Sequence, residues 1–235
     1  MGEAVDTTAT LGELVIRRPA AAALFERLGL DYCCGGRKTL AEACAQRGVD
    51  AGTVAVLLDS LERGPAGPRR HDVARASIGE LCDHVVAAHH EPLRAELPRI
   101  SELAGTVVRV HGRTRPELAD VQRVFESLRG ELEVHMRREE HNLFPACRAL
   151  DGHGDAAPLR HGEVALLEDD HGATGEALSA LRELCADYDP AQALCGTHAA
   201  LLRALLELEL ELHQHVHEEN NILFPRVRAR LAAGA

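Results

Sequence analysis

The residues best suited to chemistry in this sequence are two histidine–glutamate pairs with identical spacing. His135 precedes Glu139 by four positions, and His215 precedes Glu219 by four positions. The pairs begin segments that align without a gap at an offset of 80 residues, and both segments end in Leu-Phe-Pro. Because side chains four positions apart lie on the same side of an α-helix, each pair can direct an imidazole and a carboxylate at one point.

The pattern of apolar residues indicates that these pairs point into a helical core. A stripe through Leu208 and Leu212 continues at helical spacing into the second pair, and a similar stripe leads into the first. His171 lies on a third apolar stripe, 44 residues before the second pair. At the corresponding place before the first pair, His89 and His90 both continue apolar stripes, so periodicity does not choose between them.

Buried carboxylates are costly unless a cation compensates their charge, so this pattern predicts a metal site. Four imidazoles and two carboxylates, without a thiolate, suit iron or manganese better than structural zinc, and we expect iron. If both glutamates bridge, two iron ions joined by an oxo or hydroxo bridge would keep about one open position each. Such a centre is suited to binding dioxygen or nitric oxide, or to releasing iron.

The elements that would position these ligands are four long amphipathic stretches, which predict an all-α protein with an up-down four-helix bundle. Capping-box patterns at Ser77-x-x-Glu80 and Thr114-x-x-Glu117 mark the starts of the first two helices. The four stretches lie near residues 77–103, 115–149, 160–188 and 194–232.

A smaller helical unit precedes the bundle. Thr10 and Thr39 each begin a further capping-box pattern in this region. A segment rich in glycine and proline then predicts a linker. We therefore expect a small helical N-terminal domain at residues 1–63, a linker at residues 64–70 and the bundle at residues 71–235.

Composition disfavours several classes of function. The 235 residues carry a formal net charge of −11, which disfavours contact with nucleic acid phosphates. Only 3% of them are aromatic, so a β-rich core is not expected. The sequence has neither an apolar stretch of membrane-spanning length nor an export-signal pattern, so we expect a cytoplasmic protein without a membrane partner.

The seven cysteines are of two kinds. Cys33 and Cys34 are adjacent and precede Gly35-Gly36, and this unhindered backbone suits thiolate chemistry with a metal ion, a nitrosyl group or a redox partner. The others are scattered without ligand-like spacing and are expected to be buried reduced thiols. They are Cys44, Cys82, Cys147, Cys185 and Cys195.

The two His-x-x-x-Glu segments and their upstream histidines resemble the hemerythrin-like family of four-helix di-iron proteins over about residues 77–230. The stretch Asp31-Tyr-Cys-Cys-Gly-Gly36 resembles the small ScdA-type domain that precedes such a bundle in the repair-of-iron-centres family. Through the stretch ending Glu96-Leu97-Pro98, the resemblance selects His90 over His89. The di-iron ligands that it implies are His90, His135, Glu139, His171, His215 and Glu219, with Glu139 and Glu219 as bridges.

The same resemblance implies a function. The family is implicated in restoring iron–sulfur clusters damaged by oxidative or nitrosative stress, by supplying iron, by handling nitric oxide, or both. Damaged iron–sulfur proteins are then the expected partners, and Cys33 and Cys34 are candidates for passing on iron or a nitrosyl group. The alternative is a hemerythrin-like protein that reversibly binds or senses dioxygen or nitric oxide. The sequence leaves open whether the centre reduces nitric oxide and whether the chain forms a homodimer.

Overall fold

The computed structural model describes residues 5–61, 73, 75–151, 159 and 162–234, and within these ranges every extended regular element is helical. A β-bridge between Thr10 and Thr39 is isolated and does not extend into a strand. The predicted all-α class is therefore confirmed. The α-helices are α1 (Leu11–Arg17), α2 (Ala21–Leu28), α3 (Leu40–Arg47), α4 (Ala51–Leu61), α5 (Ile78–Val85), α6 (Glu91–His111), α7 (Leu118–Arg138), α8 (Phe144–Leu150), α9 (Glu163–Leu184), α10 (Gly196–Glu218) and α11 (Phe224–Gly234).

Four long helices share one hydrophobic core in the compact unit Cys82–His215. Side chains of α6, α7, α9 and α10 are buried together there, and Ile100, Phe125 and Leu181 are fully shielded from solvent. Burial of such a side chain contributes about 1.5–3 kcal/mol, so these contacts dominate the stability of the unit. The apolar stripes of the sequence are its buried faces, and the predicted four-helix bundle is confirmed.

Three turns in these long helical runs are π-helical among the described residues, and each contains a predicted ligand. They are Val86–His90, Glu139–Leu143 and Glu219–Leu223. The first N–H after each turn donates to the carbonyl five residues earlier, as Phe144 does to Glu139. A proline stands at the second position after each turn, and its ring would clash with the carbonyl four residues earlier in an ordinary α-helical turn. We attribute the wider turns to these prolines.

The other compact unit combines Met1–Leu81 with Val216–Ala235. Helices α1 to α4 form its core, in which Leu11, Phe25 and Leu40 are fully buried. The capping boxes predicted at Thr10 and Thr39 are present at the starts of α1 and α3. Helix α1 also packs against the π-helical turn Glu219–Leu223 in this unit.

One of the two capping boxes predicted for the bundle is present and the other is not. The box at Ser77 forms at the start of α5. At the second position, the Thr114 hydroxyl donates to the carbonyl oxygen of His111 at 3.0 Å, and Glu117 accepts a hydrogen bond from Arg115. Helix α7 therefore begins without a side-chain cap, because both members of the expected box have other local partners.

The five scattered cysteines are free thiols, as expected, but one of them is not buried. Cys195 is exposed in the short connection before α10, so the prediction of its burial was wrong. The other four are buried within helices or at a helix end, where they act as small apolar side chains.

The predicted linker at residues 64–70 lies outside the described residues. The division into residues 1–63, 64–70 and 71–235 therefore stays a prediction. The compact units group the chain differently, since the C-terminal segment Val216–Ala235 packs with the N-terminal helices. None of the described helices combines the length and the apolar character that a bilayer span requires.

Candidate metal centre

The core of the unit Cys82–His215 brings five of the six predicted ligands into two groups. One group contains His90, Glu139 and His215, and the other contains His135, Glu139 and His171. Within each group the potential ligand atoms lie within 4.8 Å of one another. Glu139 is common to both groups, so its carboxylate lies next to both pairs of histidines.

The distances around Glu139 fit this arrangement. Its Oε2 atom lies 3.3 Å from His90 Nε2 and 3.3 Å from His135 Nε2. His171 Nε2 lies 3.2 Å from His135 Nε2, which permits either a hydrogen bond between the rings or joint ligation of one ion. The rings of His90 and His215 are 5.0 Å apart between centroids. The Glu139 side chain is fully buried, so its charge requires a nearby cation or protonated imidazole.

The structure places His90 beside Glu139 and gives His89 a different environment. His89 Nδ1 lies 2.5 Å from Glu211 Oε1, and its ring stacks on that of His215 at 5.1 Å. Helical periodicity alone could not separate the two histidines, because both are buried. The π-helical turn Val86–His90 explains this ambiguity, since it breaks the regular 3.6-residue period at this point.

Two outer carboxylates, which the sequence reasoning missed, hold histidines of the two groups. Glu140 Oε1 lies 2.7 Å from His90 Nδ1 and also accepts a hydrogen bond from Arg94. Burial acts to raise the pKa of Glu140, but the hydrogen bonds from Arg94 and His90 outweigh it and lower that pKa. Because Glu140 and His90 come from different helices, the sequence offers no spacing that would reveal their contact.

The second outer carboxylate is Asp170, which immediately precedes His171 in α9. Its Oδ2 atom lies 3.3 Å from His135 Nδ1 and accepts a hydrogen bond from Arg138 at 2.7 Å. Each of the two imidazoles therefore directs one nitrogen at Glu139 and the other at an arginine-paired carboxylate. This arrangement is typical of metal-binding histidines, in which the outer hydrogen bond sets the tautomer and the ring orientation.

Glu219, the sixth predicted ligand, belongs to the other compact unit. It begins the π-helical turn that directly continues α10, one turn beyond His215, and its side chain is fully buried. Glu139 occupies the corresponding position in the other repeat, at the start of the π-helical turn that follows α7. Both His-x-x-x-Glu pairs therefore have the same local helical geometry.

Cys33 and Cys34 lie in the unit that contains α1 to α4, in the connection between α2 and α3. Cys33 is buried and Cys34 is exposed. A hydrogen bond with Cys34, together with burial, raises the pKa of the Cys33 thiol well above its usual range. The two adjacent thiols therefore differ in accessibility.

The donor set of the bundle fits a pair of borderline-to-hard metal ions. It offers imidazole nitrogens and carboxylate oxygens that converge in a buried core, and no cysteine takes part in either histidine group. Such ligands suit iron or manganese, whereas structural zinc sites are commonly tetrahedral with cysteine. The residues present are thus able to hold the metal pair that the sequence predicts.

Comparison with known families covers both parts of the chain. Residues 7–62 match the ScdA_N family, described as a domain of unknown function (DUF542). Residues 82–234 match the hemerythrin HHE cation binding domain family.

Similar proteins extend over nearly the whole chain. The iron-sulfur cluster repair protein YtfE of Escherichia coli O81 (strain ED1a) is 34% identical over 219 residues, which span 93% of this chain and 96% of that protein. The protein of the same name from Escherichia fergusonii is 33% identical with the same coverage. This chain therefore belongs to the repair-of-iron-centres family, in which an ScdA_N domain precedes a hemerythrin HHE cation-binding domain.

Proposed function

We propose that this protein acts in the cytoplasm to repair iron–sulfur clusters damaged by oxidative or nitrosative stress, by donating iron, by handling nitric oxide, or by both. The printed names of its relatives describe such a repair function. The observation that carries the proposal is the pair of buried histidine groups that share Glu139. Damaged iron–sulfur proteins are the proposed partners.

The proposed centre contains two iron ions. His90 and His215 would hold one ion, and His135 and His171 the other, with Glu139 shared between them. Glu219 is proposed as the second bridging carboxylate, because it repeats the position of Glu139 within its helix. Iron bound there would supply redox chemistry and open positions for a diatomic ligand.

Residues around the proposed ligands orient them for binding iron. With Nδ1–H donated to Glu140 or Asp170, the Nε2 lone pairs of His90 and His135 are directed at the shared carboxylate. The arginines paired with these outer carboxylates fix their positions. The apolar helices around the site exclude water, which strengthens the electrostatic interactions within it.

The proposal is tested with reduced, iron-loaded protein under anaerobic conditions. One sample is mixed with an apo iron–sulfur protein to follow iron transfer, and a second is exposed to nitric oxide to follow nitrous oxide. We expect iron transfer, nitrous oxide formation, or both, and we expect neither from the Glu139→Ala variant. Reversible binding of dioxygen or nitric oxide without transfer or turnover would instead support the alternative of a gas-binding protein.

A further inference from the structure

A second cluster of potential metal ligands lies outside the bundle, in the connection between α2 and α3. Asp31, Cys33 and Cys34 place one carboxylate oxygen and two sulfur atoms within 4.8 Å of one another. Asp31 Oδ1 lies 3.3 Å from Cys33 Sγ and accepts a hydrogen bond from the Cys34 backbone N–H at 3.0 Å. Two thiols and a carboxylate are a softer donor set than the imidazoles and carboxylates of the bundle.

The backbone of this connection is held in place by a side chain from the C-terminal segment of the same unit. Asn221 Nδ2 lies 3.1 Å from the carbonyl oxygen of Cys33 and 3.3 Å from that of Tyr32. A Cβ atom on Gly36 would lie 2.5 Å from the Tyr32 carbonyl oxygen. Only glycine fits this close approach, so Gly36 allows Asn221 to contact the cysteine backbone.

Asp31 is positioned by the other glycine of the motif. A Cβ atom on Gly35 would lie 2.7 Å from the Asp31 carbonyl oxygen and 3.0 Å from its Oδ2 atom. The side chain of Tyr32, between the ligands, is buried, and its hydroxyl donates to Glu26 at 3.0 Å. The three potential ligands are therefore held close together before any ion binds, which lowers the entropy cost of binding.

The two thiols face different surroundings. Cys33 is buried and Cys34 is exposed, so the cluster extends from the interior of the domain to its surface. A cation held by these three residues would have a protein ligand on its inner side and access to solution beside Cys34. A tetrahedral ion would keep one position for a ligand from outside the chain.

We propose that Asp31, Cys33 and Cys34 form a second metal site, distinct from the bundle centre, for one thiophilic divalent cation. Binding releases one proton from each thiol, forms two metal–sulfur bonds and one metal–carboxylate bond, and requires no redox step. That the ion is ferrous iron in the cell rests on the proposed function. A cysteine thiolate of a damaged iron–sulfur protein would then bind the ion at the fourth position.

The experiment titrates Co²⁺ into the full-length, fully reduced protein under anaerobic conditions. Cobalt bound by thiolates gives strong near-ultraviolet charge-transfer bands, and cobalt bound by the imidazoles and carboxylates of the bundle does not. We expect these bands to saturate at one Co²⁺ per chain, with release of two protons by the thiols. Absence of the bands at Co²⁺ concentrations that fill the bundle would overturn the proposal.

Variants identify the ligands. Asp31→Asn keeps the oxygen that accepts from Cys34 N–H but removes the charge, and we expect it to weaken cobalt affinity by at least about tenfold. Cys34→Ser alters an exposed side chain and should remove about half of the charge-transfer intensity. The matched control is Asp50→Asn, an exposed carboxylate in the same domain that bonds Thr53. Unchanged affinity in Asp31→Asn would contradict the assignment of Asp31.

The result is separable from the test of the proposed function. Iron content of the bundle is measured in the same variants and should remain at the wild-type value, because the bundle ligands lie on other helices. Wild-type protein that transfers iron but shows no cobalt–thiolate bands would overturn this second site alone. A protein with normal cobalt bands but no repair activity would contradict the proposed function and leave the site standing.

Discussion

A histidine binds a metal ion firmly when its second ring nitrogen is also held, because the outer hydrogen bond selects the tautomer and orients the ring. In the two groups around Glu139, His90 has Glu140 and His135 has Asp170 in this role. Both outer carboxylates are themselves paired with arginine. The outer carboxylates and arginines therefore contribute to metal binding by holding the histidine ligands in place.

The Glu140→Ala variant tests this role at the level of one side chain. It removes the partner of His90 Nδ1 and leaves every predicted ligand in place, so we expect iron affinity to fall by about 10–100-fold. Competition with a chelator of known affinity measures the change. Glu133→Ala is the control, because Glu133 lies in α7, which leads into the turn that contains Glu140, and it accepts a hydrogen bond from Arg129 at 3.0 Å rather than from a histidine of the site. Equal affinities in the two variants would show that Glu140 does not orient His90.

At the scale of elements, the helices follow from patterns that act over a few residues, and these were readable in the sequence. Apolar stripes predicted the four long helices, and the capping boxes at Thr10 and Thr39 predicted the starts of two short ones. The π-helical turns were not predicted, since they depend on how the following proline fits a continuous helix. The Leu-Phe-Pro sequences at residues 143–145 and 223–225 are a usable signal for two of the three turns.

The rest of the site depends on contacts between residues distant in sequence. Asn221 donates a hydrogen bond to the backbone carbonyl of Cys33, 188 positions away, and no local sequence pattern predicts such a contact. Glu140 and His90 are 50 positions apart. The sequence therefore predicted the residues that carry unusual chemistry, and the residues that hold them in place required the structure.

Two glycine substitutions test the packing of individual elements. Gly36→Ala should destabilise the protein by about 1–3 kcal/mol, because its Cβ atom would overlap the backbone carbonyl of Tyr32. Gly130→Ala should stabilise it by about 0.5–1 kcal/mol, because Gly130 lies inside α7 with open space around its Cβ position. Urea unfolding measures both. We expect the two substitutions to change the free energy of unfolding in opposite directions. No change in Gly36→Ala would mean that the cysteine backbone and Asn221 can move apart.

At the scale of the whole molecule, metal binding and folding are coupled. The ligands converge in a buried core, and Glu139 is fully shielded from solvent. Any ion that binds the folded chain and not the unfolded one stabilises it, by about 2.7 kcal/mol at a hundredfold excess over the dissociation constant. For a chain of this length, that corresponds to a rise in melting temperature of about 5–10 °C.

We therefore expect metal-free protein to melt below iron-loaded protein by about that interval. Differential scanning calorimetry of the two forms at the same pH gives the comparison. A Glu139→Gln variant, which keeps the side-chain volume but loses the shared charge, should show a much smaller difference. Identical midpoints for the wild-type forms would mean that iron does not bind these buried residues.

The last prediction concerns the division of work between the two kinds of site. Changing Cys33 and Cys34 together to serine should leave the iron count of the bundle and its spectrum intact, because the proposed ligands there are all histidines and glutamates. Repair of damaged clusters should nevertheless fall, since two thiolates can take over iron or a nitrosyl group from a harder nitrogen-and-oxygen site. The control is Cys195→Ser, which removes an exposed thiol elsewhere. Wild-type repair by the double variant would show that repair does not use these two thiols, whereas loss of bundle iron would show that the two sites share a metal ion.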